Sequence, residues 1–152
     1  MEVKDLFDAS VKQDIISRIN KLTPQSQALW GKMNVSQMLA HCCVSYEMVY
    51  EDKHPRPNAF LRFIIKMLAK KAVTDETPYK HNAGTAPAFL IKDKRDFELE
   101  KARLIGFINR TQELGELGFD GKISHSFGKL SKEEWNNLFY KHVNHHLLQF
   151  GV

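Results

Sequence analysis

The chain has 152 residues, 43% of them hydrophobic and 26% charged, which is the composition of one folded domain, placed at residues 1–152, and not of a disordered chain. A formal net charge of +4, from 22 basic and 18 acidic side chains, is too small to indicate a dedicated nucleic-acid-binding protein. No run of about 18 apolar residues is present and the amino terminus lacks the pattern of a signal peptide, so we expect no membrane partner and a cytoplasmic location.

Capping boxes mark three predicted helix starts, at Ser10 with Gln13, Asn34 with Gln37, and Ser131 with Glu134. The spacing of apolar residues predicts a first helix from Val11 to Leu22 and a second from Val35 to about Glu51. Between them, Thr23-Pro24 indicates a short helical turn that ends near Gly31.

A third helix is predicted after the prolines at positions 55 and 57, with Asn58 as its cap. Its apolar residues are Phe60, Phe63, Ile64, Met67 and Leu68, and its basic residues are Arg62, Lys66, Lys70 and Lys71. Such a helix is most often a solvated surface whose apolar face points inward, so we expect neither nucleic acid nor a membrane as its partner. The basic residues would at most steer an anionic substrate.

Residues Thr74 to Lys92 lack helical periodicity and form a loop of about 20 residues, which makes them a candidate lid. A fourth helix is predicted from about Asp96 to a stop at Gly115, and a last one from Lys132 to about Gln149. Sustained alternation of apolar and polar residues is absent, so strands are minor at most and the predicted fold class is all-α.

The last predicted helix carries three histidines within five positions. His142 and His146 lie about 40° apart on its wheel, within the apolar stripe, so they can share one metal ion. His145 lies to the other side of His142 and is a catalytic base behind the ligands, an alternative ligand with His142, or a rim residue. Gln149 lies one turn beyond His146 and either orients that ring or makes a simple buried polar contact.

The second helix also turns polar residues inward, because His41 and Ser45 lie within its apolar face. Ser45 is a candidate partner of the ligand histidines or a candidate catalytic residue. Two helices that pack through these faces would bring His41 to the pair His142 and His146. Three neutral imidazoles bind Zn²⁺ and leave a fourth position open, the pattern of catalytic zinc sites. The alternative is a set of hydrogen-bonded core histidines.

The remaining candidate residues allow less specific predictions. His125, in a glycine-rich connection, either approaches the site opening or is an exposed loop residue. Cys42 and Cys43 are adjacent, so they cannot readily form a disulfide, and packing is their expected role. A second apolar strip on the last helix either packs on a neighbouring helix or forms a dimer contact; its residues are Tyr140, Val143 and Leu147.

The closing His142-Val143-Asn144-His145-His146-Leu147-Leu148-Gln149 resembles the H-x-x-x-H-R-G-Q signature of the DinB-like superfamily of metal-dependent enzymes, and departs from it where Leu147-Leu148 replaces Arg-Gly. Further segments resemble an uncharacterised bacterial branch of that superfamily: Trp30-Gly31-Lys32-Met33, Gln37-Met38-Leu39-Ala40-His41, and Phe127-Gly128-Lys129-Leu130-Ser131-Lys132-Glu133-Glu134-Trp135.

This resemblance implies an up-down-down-up four-helix bundle with short additional helices, and a homodimer as one expected assembly. It also implies a divalent metal held by His41, His142 and His146, with zinc or nickel first and iron or manganese as further options. Relatives that use low-molecular-weight thiols favour an S-transferase, with the thiol as a second cofactor and a small molecule as substrate. The alternatives are a metal-dependent hydrolase and a noncatalytic metal-binding or structural bundle protein in a stress pathway.

Overall fold

A computed structural model describes residues 2–152 of the chain. It contains five α-helices, one 3₁₀ turn and two very short strands. The helices are α1 (Ala9–Lys21), α2 (Val35–Tyr50), α3 (Ala59–Thr74), α4 (Phe97–Phe119) and α5 (Lys132–Gln149). The predicted all-α class is therefore confirmed, while the four-helix bundle and its up-down-down-up order stay predictions.

The helix caps follow the sequence signals at most positions. The capping boxes at Asn34 and Ser131 are both formed, and Asn58 caps α3. The predicted box at Ser10 is wrong, because Asp8 is the cap and its carboxylate accepts hydrogen bonds from the backbone amides of Ser10 and Val11. An aspartate in an extended conformation just before a helix competes well for these free amides.

Two other boundaries differ from expectation. The segment from Thr23-Pro24 to Gly31 forms turns and bends and no helix, so the predicted helical turn is wrong. The predicted stop at Gly115 is a real break in the backbone, with φ 62° and ψ −174°, but a further helical turn follows it to Phe119. Glycine takes this left-handed conformation without the penalty that a Cβ would cause.

The core is formed by α1, α2, α4 and α5, with α2 the most enclosed of them. Aromatic rings stack through its centre: Tyr46 lies parallel to Phe139 at 4.7 Å between centroids and to Phe107 at 5.7 Å. Cys42 and Cys43 are buried free thiols, so their predicted packing role is confirmed and no disulfide joins them. This packing holds α2 against α5 along the faces that carry the histidines.

The second apolar strip of α5 is also inside this core. Tyr140, Val143 and Leu147 are all buried against the rest of the chain. Of the two readings of this strip, packing on neighbouring helices is confirmed and the dimer contact is wrong.

Helix α3 lies outside the core and packs mainly on α5. Lys141 of α5 is fully buried, and its ammonium group donates to the backbone oxygens of Ala72 and Asp75 and to the Asp75 carboxylate. A cation at a helix C-terminus is favourable because free carbonyls are concentrated there. The apolar side chains of α3 point away from the core, contrary to the expected inward orientation.

The remaining segments are short. The loop after α3 contains the 3₁₀ turn Pro87–Phe89, and β1 (Ile123–Ser124) pairs antiparallel with β2 (Gly128–Lys129) in a hairpin before α5. Among residues 2–152, no helix combines the length and apolar character required to cross a membrane.

Candidate metal centre

The three histidines predicted as ligands meet between α2 and α5. His41 points from α2, while His142 and His146 lie one turn apart on α5. One ligand nitrogen from each ring lies within 4.8 Å of the other two. His41 and His146 are buried and His142 is partly exposed, so the cluster lies just beneath the surface.

The distances within the cluster suit a shared ion. Nε2 of His41 and Nε2 of His142 are 2.9 Å apart. Two imidazole nitrogens on a tetrahedral zinc ion, each about 2.05 Å from it, are about 3.3 Å apart, so the rings need to separate by only about 0.4 Å. The residue types, their number and their spacing therefore fit a divalent metal ion.

Each ring has a hydrogen-bond partner at the nitrogen that faces away from the cluster. Nδ1 of His41 is 2.8 Å from the backbone oxygen of Phe89, Nδ1 of His142 is 2.8 Å from the hydroxyl of Ser45, and Nδ1 of His146 is 2.7 Å from Oε1 of Gln149. When Nδ1 carries the proton and donates it to these oxygens, Nε2 of each ring keeps its lone pair for a metal.

The electrostatic environment keeps the rings neutral. Burial lowers the pKa of His41, and burial together with the neighbouring His41 and His146 lowers the pKa of His142 well below its usual value. Burial and the proximity of His41 lower the pKa of His146 to about 3, against the hydrogen bond to Gln149, which acts the other way. Neutral imidazole is the form that binds metal, so protons compete weakly for these ligands at neutral pH.

His145 lies beside the cluster and does not join it. Its ring meets that of His146 edge to face at 5.0 Å, and it also lies near Trp30 and Tyr79, each at 5.7 Å between centroids. His81 is stacked on Trp30 at 3.7 Å. These four aromatic side chains border the histidine cluster on the side of α5 that carries His145.

Gln149 connects this border to the ligands. Its Nε2 donates to the backbone oxygen of Trp30 at 2.7 Å while its Oε1 holds His146. Gly31 has φ +84°, and a Cβ added there would lie against Nε2 of Gln149. The segment at Trp30 and Gly31 therefore approaches α5 closely through a residue that has no side chain.

His125 is located elsewhere. It sits in the turn of the hairpin, where its Nδ1 contacts the hydroxyl of Ser126 and its Nε2 contacts the backbone oxygen of His54 at 3.0 Å. His54 in turn contacts the Glu47 carboxylate, which also pairs with Arg103. The predicted approach of His125 to the site opening is therefore not seen, and this residue belongs to a separate polar network.

That network borders a cavity of about 300 Å³ beside α2, closed on one side by Ala88 and Leu90. Burial would raise the pKa of the Glu47 carboxyl, but hydrogen bonds from Arg103 and His54 outweigh it and leave the pKa below its usual value. The cavity and the metal ligands lie on either side of the turn that contains Phe89, whose backbone oxygen is turned toward His41.

Sequence patterns identified the three clustered histidines and two of the residues that contact them, Ser45 and Gln149, but missed others. No sequence pattern points to the backbone oxygen of Phe89, because every residue has a backbone oxygen. Trp30 belongs to a motif to which the sequence assigns no role, and no sequence pattern marks His81. The stacking of His81 on Trp30 depends on how two separate loops meet, which periodicity does not report.

A family model described as "Protein of unknown function (DUF1569)" matches residues 4–151, so the chain belongs to that family. No curated protein and no solved structure matches the chain.

Proposed function

We propose that this member of a family of unknown function binds one divalent metal ion through Nε2 of His41, His142 and His146. The observation that carries the proposal is the arrangement of the three rings: every Nδ1 has an oxygen partner outside the cluster, Nε2 of His41 and Nε2 of His142 face each other, and one nitrogen from each ring lies within 4.8 Å of the other two. Core histidines that served packing alone would not need to bring one nitrogen from each of three rings together.

We further infer that the protein is a metal-dependent enzyme related to the DinB-like superfamily. Support comes from the sequence motifs and from the division of the ligands, with one histidine on α2 and two on the last helix. Among the possible reactions, we favour transfer of a low-molecular-weight thiol to an electrophile. Imidazole ligands suit zinc, nickel, iron and copper, and of these we favour zinc or nickel. A metal in such a site would supply Lewis acidity that favours the anionic form of a ligand in its open position.

The chain's own residues prepare the site for that ligand. Three neutral imidazoles leave the charge of a divalent ion uncompensated, so an anionic ligand such as a thiolate is electrostatically favoured. Phe89, Ser45 and Gln149 hold the three rings in place, which reduces the reorganisation needed when a ligand enters. Trp30 and His145 border the site, and their rings can cover a bound ligand from water.

A noncatalytic role is the second candidate, and one contact favours it. The 2.9 Å separation between Nε2 of His41 and Nε2 of His142 also fits an N–H···N hydrogen bond, if one ring carries its proton on Nε2. In that case the histidines would satisfy one another inside the core and join α2 to α5 without an ion.

Metal analysis of protein purified without a histidine tag tests the proposal. We expect close to one equivalent of a transition metal by mass spectrometry, and loss of it in His142→Ala. The matched control is His125→Ala, since His125 lies in the hairpin, and it should keep its metal. Metal content far below one equivalent after growth with added zinc and nickel, unchanged by His142→Ala, would reject the site.

A second measurement separates an enzyme from a structural site. Wild-type protein and His142→Ala are assayed for conjugation of a generic electrophile to low-molecular-weight thiols, and for ester hydrolysis as the competing reaction. Metal-dependent thiol conjugation supports a transferase, and metal-dependent ester cleavage supports a hydrolase instead. A large loss of thermal stability on chelation with neither activity supports the structural role.

A further inference from the structure

The outer side of α3 exposes a continuous set of large apolar side chains. The exposed fractions range from 46% to 79%, and the residues are Phe60, Leu61, Phe63, Met67 and Leu68, which we call the outer face of α3. Monomeric proteins rarely expose apolar patches of this kind without a partner. Thr74 is the single residue of the helix that is buried, so α3 contributes little to the core of its own chain.

Polar contacts anchor α3 at its C-terminal end and along one edge. Asn137 donates to the backbone oxygen of Thr74 at 2.8 Å, and Lys141 donates to that of Asp75 at 2.6 Å. Lys70 pairs with Glu134 at 2.7 Å. The helix is thus held in a defined orientation, with its most hydrophobic side turned outward.

The centre of the exposed side has the residue spacing of a helix that packs on another helix. Phe60, the half-buried Ile64 and Met67 follow one another at intervals of four and three residues, and the next step of four reaches the charged Lys71 at the end of the apolar row. This alternation keeps side chains on one line along the helix and is the repeat through which paired helices interdigitate. We propose that the outer face of α3 is the contact surface for a second copy of this chain.

The exposed area matches what a dimer requires. From the exposed fractions, the five side chains present about 600 Å² of mostly apolar surface. A standard interface buries about 800 Å² on each partner, of which somewhat more than half is apolar, or about 450–520 Å². A two-fold contact is self-complementary, so the same helix supplies both sides of it.

The charges beside the outer face of α3 have both signs. Lys66 and Lys71 are exposed, Arg62 is partly buried, and Lys70 is paired with Glu134. A groove of about 440 Å³ beside the outer face is lined by Lys66, Lys70 and Lys71 together with Glu134, so a second copy would meet both signs of charge there. An anionic membrane would contact the lysines alone, and the vesicle experiment below distinguishes it from a second copy.

The test compares the mass of three proteins in solution by sedimentation at increasing concentration. Wild type should approach twice its chain mass of 17.6 kDa. Met67→Glu places a charge on the outer face and should raise the dimer dissociation constant by at least about 30-fold, as expected for a residue central to an interface. Leu117→Glu is the matched control, because Leu117 is 97% exposed on α4, and it should dimerise like wild type.

Circular dichroism and thermal melting confirm that each variant is folded, and Phe60→Ser provides a second variant of the outer face without added charge. A wild-type protein that stays monomeric at all concentrations overturns the proposal, and so does a dimer that Met67→Glu and Phe60→Ser leave intact. Monomeric wild type that binds vesicles of anionic phospholipid, with binding lost in Met67→Glu, would assign the outer face to a membrane surface instead.

Discussion

Substitutions at Gln149 give the most direct test of how the hydrogen-bond partners of the three histidines affect metal binding. Its side chain makes two buried hydrogen bonds in opposite senses, accepting from Nδ1 of His146 and donating to the backbone oxygen of Trp30, each at 2.7 Å. Gln149→Leu keeps the size of the side chain and removes both bonds. Gln149→Glu keeps an acceptor for His146 but loses the donor to Trp30.

The expected magnitudes follow from these bonds. Loss of the partner of a metal-binding histidine typically lowers metal affinity by about 10- to 100-fold, because the ring loses its orientation and some basicity. We expect this loss in Gln149→Leu. In Gln149→Glu the carboxylate still holds His146, so metal affinity should stay near that of wild type or increase. Without metal, each buried group left unpaired costs about 1–3 kcal/mol, so both variants should unfold at lower temperature than wild type.

Competition with a chromophoric chelator measures zinc affinity, and thermal unfolding in the presence of EDTA measures the stability of the metal-free protein. Gln25→Ala, at an exposed glutamine, is the control and should behave as wild type in both. The reasoning is refuted if Gln149→Leu binds zinc as tightly as wild type, or if Gln149→Glu loses as much affinity as Gln149→Leu.

Three further changes test other parts of the structure. Ser45→Ala removes the partner of His142 and should lower zinc affinity by about 10-fold or more in the same titration; wild-type affinity would mean that this hydroxyl does not orient the ring. Lys141→Met removes the cation that donates to the backbone oxygens of Ala72 and Asp75 and should lower the free energy of unfolding measured in urea, and an unchanged value would contradict the anchoring of α3. In EDTA, the free energy of unfolding should fall as the pH is lowered from about 6.5, because the pKa values of His41, His142, His145 and His146 are lowered in the folded chain and the unfolded chain therefore binds more protons. Each ring contributes a slope of at most about 1.4 kcal/mol per pH unit, so His142→Ala should reduce the slope by up to that amount.

Most helices could be predicted because their signals are local. The capping boxes at Asn34 and Ser131 involve residues three positions apart, and the structure forms both. The start of α1 was predicted two residues late because two candidate caps, Asp8 and Ser10, compete there, and the aspartate makes the bonds. Local signals therefore identify a helix well and its first residue less well.

The orientation of α3 shows that the apolar pattern of one helix does not determine what its apolar side contacts. Periodicity identifies an apolar side, but it does not say whether that side faces the same chain, another chain or solvent. Tyr140, Val143 and Leu147 show the reverse, since a strip considered for a dimer contact is buried by other helices of the same chain. Both outcomes depend on which surfaces are already covered.

The sequence by itself determined the helical class, the two helices that carry the candidate metal ligands, and the facing of His41, His142 and His146 toward a common interior, because helical geometry converts residue spacing into direction. Tertiary structure alone decided that the Phe89 carbonyl holds His41, that Trp30 and His81 lie at the edge of the site, and that α3 turns its outer face away from the core. These contacts join segments far apart in the chain. Residue spacing predicts which side chains of one helix share a face, but it does not predict which residues of other segments lie near them.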